Sequence, residues 1–290
     1  MPDRLPARAI ALVVLLTAIW GGSYTMVKLG FRDLPVFGSL FLRVVVASAL
    51  LFLYSRLAGV PVVYGRRARR FLLAGGAAFC WTMALFYLGA ARTTAGRASI
   101  LFNTQPFFTL LLLPLFVPAE RLTTRRLGGT VLAFTGIVLV FADRLPGQAS
   151  LVGDAFVLLG TLGWSAATIL VKTMPREVHS ASVILWSAAV AMPVMGVLTL
   201  MLEPDAPWRL SPLAVGSVLY LGAVAAAFSF AVFNWLIRSY SAVRVNAFVF
   251  LSPVFGVLIG WALLGEPLSL LQVAGALAVA GGIHVVNSAA

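Results

Sequence analysis

The sequence is poor in charge, cysteine and histidine. Only 10% of its 290 residues are charged, whereas about a quarter are charged in an average soluble domain. Hydrophobic residues make up 61%, which lipid accepts more readily than a water-soluble fold of this length. Cys80 is alone, so no intrachain disulfide can form, and His179 and His284 lie far apart. A site with several Cys or His metal ligands is therefore not expected, and we predict an all-α membrane protein without metal or cofactor.

Acidic residues are scarce as well, and the sequence places none of them in the middle of a hydrophobic segment. The nine are Asp3, Asp33, Glu120, Asp143, Asp154, Glu177, Glu203, Asp205 and Glu266. Proton-driven carriers commonly use a carboxylate or a histidine inside the membrane. The pattern therefore favours a facilitator or exchanger that runs down a substrate gradient. No Gly-x-x-x-x-Gly-Lys phosphate loop occurs, so ATP hydrolysis is not expected.

Long hydrophobic segments fill most of the chain, and a helix needs about 20 apolar residues to cross a bilayer. Ten segments qualify: residues 9–29, 36–58, 71–91, 97–117, 124–142, 152–172, 180–202, 212–237, 243–264 and 268–287. Short connections with proline or glycine separate them, for example at Leu34-Pro35 and Pro146-Gly147. We predict ten transmembrane helices.

The net charge of +12 is spread unevenly over the predicted loops. Most of the 21 Lys and Arg residues fall on the side of the N-terminus, among them five arginines at the end of the second span and in its connection to the third. Positive residues collect on cytoplasmic loops, so we predict that both termini are cytoplasmic. The arginine-rich, lysine-poor usage favours a bacterial source, for which the membrane is the inner (plasma) membrane. No basic domain lies outside the hydrophobic segments, and nucleic-acid binding is not expected.

Residues of the first half recur in the same order in the second half. The matching pairs are Thr17 and Thr161, Trp20 and Trp164, Lys28 and Lys172, Arg97 and Arg244, Pro106 and Pro253, and Glu120 and Glu266. We predict two five-helix repeats, 9–142 and 152–287. Because five is odd, the second repeat enters the membrane from the opposite side, and the repeats are inverted. Inverted repeats are a recurrent architecture of secondary transporters, with a binding site near the midplane.

Three motifs carry a resemblance that covers nearly the whole chain. They are Trp20-Gly21-Gly22-Ser23, Leu101-Phe102-Asn103-Thr104-Gln105-Pro106 and Leu264-Gly265-Glu266-Pro267-Leu268. With the ten spans they resemble the drug/metabolite transporter superfamily, in particular its EamA-type members with two five-helix repeats. The resemblance implies a basket-like bundle with a central cavity and export of amino acids or other metabolites. The chain is similar in size and layout to the members that export aromatic amino acids. Small multidrug-resistance relatives use a glutamate in the first helix, where this chain has Trp20, so proton-coupled cation export is not expected.

Polar and aromatic residues share one face of the first and sixth spans. The first face carries Thr17, Trp20 and Tyr24, and the sixth carries Trp164, Ser165 and Thr168. Such faces avoid hydrocarbon, so they look into the bundle or a wet cavity. Two interpretations remain open: a substrate-binding wall in which the tryptophans supply stacking surface, or close helix packing with hydroxyls bonded across helices.

Arg43 is a cation inside the second span. An unpaired charge near the bilayer centre costs ~2.5–3.5 kcal/mol on the insertion scale. Either Arg43 faces a watery cavity and attracts a carboxylate or another anion, or it bonds helix carbonyls or extends to the outer interface.

The fourth and ninth spans carry repeat-related prolines, Pro106 and Pro253. Each proline removes a backbone hydrogen bond, which predicts a kink used for gating or for packing. Four further residues are candidates for the cavity wall: Tyr87, Asn103, Asn234 and Asn246. Lys28 and Lys172 lie near span ends and are expected to anchor at the interface. Glu120 and Glu266 are expected to complement the helix dipoles of the fifth and tenth spans.

The predicted function is alternating-access export of a small molecule, in the first place amino acids with aromatic or apolar side chains. Within transport the alternative is a drug, sugar or nucleotide-sugar carrier. An intramembrane enzyme is disfavoured because Cys80 has no histidine partner. A non-transporting scaffold is the alternative from another class. The expected partners are a small-molecule substrate and the lipid bilayer, with the choice between monomer and homodimer open.

Overall fold

The computed structural model describes residues 5–90, 92–93, 95–142, 150–264 and 269–288. Within these ranges the chain is helical and contains no β-strand. The first predicted repeat contains α1 (Ala7–Gly30), α2 (Val36–Leu57), α3 (Arg66–Ala90), α4 (Ala95–Phe102), α5 (Gln105–Phe116) and α6 (Thr124–Val140). The second contains α7 (Leu151–Thr173), α8 (Ser180–Leu202), α9 (Pro212–Leu219), α10 (Ser229–Ser239), α11 (Ala242–Ala247), α12 (Leu251–Leu264) and α13 (Leu270–Asn287).

Eight helical stretches in the described part are long and apolar enough to cross a membrane. They are Val36–Leu57, Arg66–Gly89, Arg97–Phe116, Leu151–Thr173, Ser180–Leu202, Pro212–Ser239, Ala242–Ile259 and Leu270–Asn287. Each coincides with one of the predicted spans. The first predicted span is the 24-residue helix α1, and the fifth is the 17-residue helix α6. The all-helical membrane fold is therefore confirmed, while the inverted ten-helix arrangement stays a prediction.

Three predicted spans are irregular in the structure. The fourth is divided between α4 and α5, and the ninth contains a 3₁₀ segment, Phe248–Phe250, between α11 and α12. The eighth passes through a π-helical segment, Tyr220–Phe228, between α9 and α10. The π-helix has no proline or charged residue to mark it, and the sequence did not predict it.

Side chains at the helix ends explain several boundaries. Ser211 precedes Pro212 and accepts a hydrogen bond from the Ala214 amide at 3.1 Å. Ser269 and Gln272 form a capping box at the start of α13. At the end of α2, Gly59 has a φ of 65°, a left-handed conformation that glycine adopts without steric cost. These local signals begin and end helices where the hydrophobic runs begin and end.

The chain forms two compact units. Unit 1 comprises Met1–Gly21, Trp81–Thr173 and Leu236–Ala290, and unit 2 comprises Gly22–Cys80 and Met174–Trp235. In unit 1, α6 packs closely along α13, where a Cβ added at Gly136 would lie 2.6 Å from the Gly275 carbonyl oxygen. In unit 2, α2 packs against α8 around a buried group of Val44, Cys80, Ala188 and Ala191. Small residues let the helices approach, as in other membrane bundles.

A distant carboxylate caps α2 in unit 2. Glu203, in the connection after α8, accepts hydrogen bonds from the amides of Val36 and Phe37, both at 2.8 Å. The first amides of a helix have no partner inside it, so this contact satisfies them and places a negative charge at the positive end of the dipole.

Candidate functional site

The fourth span breaks where its polar residues cluster. α4 ends at Phe102, and α5 begins at Gln105 with Pro106 in its first turn. Pro106 has no N–H, so the Phe102 carbonyl loses its usual helical donor. Asn103 Nδ2 donates to the Ser99 carbonyl at 2.8 Å, and Thr104 Oγ1 donates to the Leu101 carbonyl at 2.6 Å. The predicted irregularity at Pro106 is present, and its use in gating stays a prediction.

The ninth span breaks at the related place. α11 ends at Ala247, and α12 begins at Leu251 with the buried Pro253 in its first turn. α1 passes close to this break, because a Cβ at Gly21 would lie 2.7 Å from the Ser252 carbonyl oxygen. A side chain larger than hydrogen does not fit at Gly21 without movement of the backbone.

Gln105 joins the two broken spans. Its Nε2 donates to Asn246 Oδ1 at 3.0 Å and to Thr109 Oγ1 at 2.7 Å. Asn246 Nδ2 donates to the Ala242 carbonyl at 2.8 Å, which fixes the amide so that its oxygen faces Gln105. Gln105 is 2% exposed, and its Oε1 has no hydrogen-bond partner among the described residues. The sequence predicted Asn246 as a site residue but missed Gln105, although Gln105 stands in the Asn-Thr-Gln-Pro run that marks the break.

The predicted hydroxyl face of α7 packs within unit 1. Ser165 Oγ donates to the Gln105 carbonyl at 3.1 Å, and Thr168 Oγ1 donates to the Trp164 carbonyl at 3.1 Å. Thr17 on α1 is buried and donates to the Val14 carbonyl at 2.8 Å. Of these three hydroxyls, Ser165 bonds across helices and fits the packing interpretation, whereas Thr17 and Thr168 bond within their own helices. Contact of the hydroxyls with a substrate stays a prediction.

A row of aromatic rings lies beside this face in unit 1. The Phe86 ring contacts Phe102 with centroids 4.7 Å apart and Tyr87 with centroids 5.9 Å apart. Phe102 in turn lies 6.0 Å from Trp164. All four rings are partly exposed, so they present edges and faces on which a planar or apolar group can stack. The structure thus brings the predicted residues Tyr87 and Trp164 into one aromatic row.

Trp20 and Tyr24 belong to α1. The Trp20 side chain is half-buried and has contacts of its own. The Tyr24 side chain lies outside the described residues, as does that of Lys28. Their place in a substrate site stays a prediction.

Arg43 contacts an aromatic ring in unit 2. Its Cζ lies 5.9 Å from the centroid of Phe230, whose edge-on partner Phe79 lies 6.4 Å away. Asn234 follows Phe230 by one turn of α10 and therefore lies on the same helix face. Asn234 is 7% exposed, and its Nδ2 has no hydrogen-bond partner among the described residues. A cation and an unused N–H donor next to apolar rings can bind an anionic group attached to an apolar body.

Glu120 corrects one prediction. It lies before α6, yet it accepts hydrogen bonds from Ser241 Oγ and the Ala242 amide, both at 2.6 Å, and so caps α11. Thr123 caps α6 instead, by accepting from the Arg126 amide at 3.2 Å. The expected role of Glu120 at the fifth span was therefore wrong, because the capping partner is a helix distant in sequence. Glu266, its repeat-related counterpart, lies outside the described residues.

Lys172 corrects a second prediction. Its side chain is 3% exposed, so it does not anchor at the interface. Its Nζ donates to the Ile237 carbonyl at 2.7 Å and to the Tyr240 carbonyl, and it lies 3.8 Å from Glu120 Oε1. Cations are stabilised at helix C-termini, so Lys172 caps the end of α10 while it neutralises the buried carboxylate.

Comparisons with known proteins identify the family. The EamA-like transporter family matches residues 7–142 and again residues 151–288. The chain is 28% identical to "Probable amino-acid metabolite efflux pump" of Escherichia coli (strain K12), over 94% of this chain and 93% of that protein. It is 26% identical to "Probable terminal-alkyne amino-acid exporter" of Streptantibioticus cattleyicolor, over 95% of this chain and 92% of that protein.

A solved crystal structure shares the fold, with a TM-score of 0.85 at 15% identity over 97% of this chain and 96% of that chain. The family match extends over nearly all of the helical segments described above. The chain belongs to the EamA-like transporter family, and it is a multi-pass membrane transporter, not an enzyme.

Proposed function

We propose that the protein exports amino acids with aromatic or apolar side chains by alternating access. The observation that carries the proposal is the arrangement of Arg43, Phe230 and Asn234 in unit 2. The guanidinium group lies against the Phe230 ring, and the buried Asn234 Nδ2, which has no acceptor among the described residues, lies on the same face of α10. Together they offer charge and hydrogen bonds to a carboxylate, while Phe79 and Phe230 offer apolar surface to a side chain.

Arg43 is the cation that the described residues place at this site, and one half-buried cation favours a singly charged group over a phosphate ester. Arginine binds carboxylates through two parallel N–H groups, and such charge-assisted bonds are about twice as strong as neutral ones. Nucleotide sugars carry more negative charge than Arg43 alone can balance. Amino acids therefore fit this site better than nucleotide sugars do.

The direction of transport in the proposal is outward. Two of the similar proteins are named as an amino-acid metabolite efflux pump and as a terminal-alkyne amino-acid exporter. Both names describe removal of an amino acid or a related metabolite from the cell. At 26–28% identity they support export by this chain and leave its own substrate to experiment.

The proposed architecture is ten membrane-spanning helices in two inverted five-helix halves. The family matches the chain twice, once in each half. The breaks at Pro106 and Pro253 fall at repeat-related positions in the fourth and ninth spans. Inverted halves provide two nearly equivalent conformations, one open to each side. The excess of arginine on one set of loops supports the proposal that both termini lie on the cytoplasmic side of a bacterial inner membrane.

Counterflow in proteoliposomes tests the proposal. Vesicles that contain the purified protein are preloaded with one unlabelled amino acid, and uptake of the same radiolabelled amino acid is measured without a proton gradient. We expect uptake of amino acids with aromatic or branched apolar side chains. Arg43→Ala removes the charge-assisted bonds, worth about 1.5–3 kcal/mol, and should weaken the apparent affinity about 10- to 150-fold. Asn234→Ala should weaken it less, because Asn234 supplies a neutral donor.

Arg56→Ala is the matched control. Arg56 lies on the same helix as Arg43 and has the same cation–π distance, 5.9 Å to Phe52, but it is exposed. Counterflow by this variant should match that of the wild type. Absence of counterflow for every amino acid would remove this substrate class and favour sugars or drugs. If Arg43→Ala binds the amino acid with wild-type affinity, the protein is still an amino-acid transporter, but Arg43 does not bind the carboxylate.

A further inference from the structure

Four arginines lie close together at the start of α3. Arg66, Arg67, Arg69 and Arg70 are exposed, whereas Ala68 between them is buried. None of the four makes an ion pair with an acidic residue in the part of the chain that the structure describes. The sequence contains no Asp or Glu from residue 34 to residue 119. Within the described residues, no carboxylate therefore compensates this concentration of positive charge.

The local backbone adds to the positive potential. The arginines occupy the first turns of a 25-residue helix, where the helix dipole is positive and anions are stabilised. Four cations in this position oppose one another and the dipole. An external anion would relieve both repulsions.

Hydrogen bonds fix the segment that leads into α3. Tyr64 Oη donates to Ser182 Oγ at 2.9 Å, and Ser182 Oγ donates to the Pro61 carbonyl at 2.9 Å. The His179 amide donates to Tyr64 Oη at 3.1 Å. The connection between α2 and α3 is thus held against the start of α8. A fixed connection presents the arginines without the entropic cost of ordering a loop on binding.

The same connection exposes apolar side chains next to the arginines. Trp186 Nε1 donates to the Val62 carbonyl at 3.0 Å, and the next residue, Val63, is 83% exposed. Leu57, at the end of α2, is 80% exposed. Exposed apolar side chains beside a cluster of cations are typical of a surface that meets the boundary between lipid headgroups and acyl chains.

We propose that residues 57–70 form a binding surface for anionic phospholipids. The four guanidinium groups bind headgroup phosphates, with two N–H donors available to each phosphate, and Leu57 and Val63 contact the upper part of the acyl chains. A lipid fits better than a soluble anion because α2 and α3 are both long enough to span the membrane, so the ends that flank this surface lie at the bilayer interface. The surface does not depend on which substrate the transporter carries.

Native mass spectrometry of the full chain tests this inference. The protein is released from mixed micelles that contain phosphatidylglycerol and phosphatidylcholine, and the retained lipids are counted. We expect the wild type to retain phosphatidylglycerol in preference. Replacement of the four arginines by glutamine should reduce this preference at least about tenfold, since each basic residue near an anionic surface contributes on the order of a fivefold change in affinity. Replacement by lysine should keep most of it.

A second variant of equal charge is the control. Arg8, Arg32, Arg121 and Arg209 are exposed and scattered over the chain, and their replacement by glutamine should leave the preference intact. An equal loss in this control would show that net charge alone attracts the lipid and would overturn the inference. An unchanged preference in the variant with the four α3 arginines replaced would overturn it as well.

Inorganic phosphate separates lipid from soluble anion. We expect millimolar phosphate to leave the retained phosphatidylglycerol unchanged, whereas full displacement would assign the surface to a soluble anion. If the four-residue glutamine variant does not accumulate, Arg67→Gln/Arg70→Gln provides the test. Wild-type retention in that pair would then overturn the inference.

Discussion

The Gln105 side-chain nitrogen lies 3.0 Å from Asn246 Oδ1 and joins the two spans that break at Pro106 and Pro253. Both amides are almost fully buried. The bond gives the two irregular segments a common point of attachment inside unit 1. This hydrogen bond fixes the position of the break in the fourth span relative to the break in the ninth span.

We expect the Gln105–Asn246 contact to stabilise the fold measurably. Hydrogen bonds between membrane helices contribute about 0.6 kcal/mol on average and at most about 1.7 kcal/mol. A double-mutant cycle with Gln105→Leu and Asn246→Leu, followed by unfolding in SDS, should give a coupling free energy in that range. Thr109→Val tests the neighbouring bond and should cost less. A coupling free energy of zero would mean that the two breaks are held by packing alone.

Replacement of Lys172 alone should lower the stability of the fold, and a second replacement at Glu120 should restore part of it. Lys172→Met leaves the Glu120 carboxylate, which is 1% exposed, without its lysine partner and removes the cap from α10. Removal of one member of a buried pair costs about 3–5 kcal/mol, although Arg126 at 3.6 Å from Glu120 Oε2 reduces the loss. We expect a lower midpoint of thermal unfolding and poor accumulation in the membrane.

Addition of Glu120→Gln to Lys172→Met should restore part of the lost stability. Glutamine removes the unbalanced charge, and its oxygen can still accept a hydrogen bond from Ser241 or the Ala242 amide. The measurement is the difference in thermal midpoint between the single and the double variant. A double variant less stable than Lys172→Met would show that the carboxylate cap outweighs the charge imbalance.

The hydrophobic runs predicted the positions of the helices well, because length and composition alone decide whether a segment suits a bilayer. Pro106 and Pro253 lie in the first turns of α5 and α12, next to the two breaks, and the effect of a proline on a helix is equally local. The π-helical segment Tyr220–Phe228 carries no such mark in the sequence, and it packs against α2.

Contacts between residues distant in sequence explain the errors at the site. Glu120 precedes α6, so the sequence predicted that its carboxylate complements the dipole of that helix. Its hydrogen-bond partners, Ser241 and Ala242, come more than a hundred residues later. Gln105 stood within a recognised motif, yet its role depends on Asn246 in the other half. Residue type and spacing predict which polar residues lie inside the membrane-spanning segments. Their hydrogen-bond partners are known only from the tertiary fold.

Gly136 and Gly128 should respond oppositely to alanine. A Cβ at Gly136 would lie 2.6 Å from the Gly275 carbonyl oxygen, whereas one at Gly128 on the same helix would meet nothing within 4 Å. Overpacking costs about 1–3 kcal/mol, while Gly→Ala in an open helix position gains about 0.8–1 kcal/mol. We expect Gly136→Ala to lower and Gly128→Ala to raise the thermal midpoint of the purified protein. Equal midpoints would show that α6 and α13 can separate without loss.

Trp164 should affect the apparent affinity for aromatic substrates. The aromatic row in unit 1 predicts that the half-buried ring of Trp164 stacks on a substrate ring. An aromatic pair is worth about 0.5–1.5 kcal/mol, so Trp164→Ala should raise the counterflow KM for aromatic amino acids about 2- to 12-fold. Trp164→Phe keeps a ring and should raise the KM less. Trp261→Ala, at a tryptophan that is 53% exposed on α12, is the matched control and should leave the KM unchanged. If Trp164→Ala lowers the maximal rate for every substrate without a change in KM, the ring supports the helix packing and does not contact the substrate.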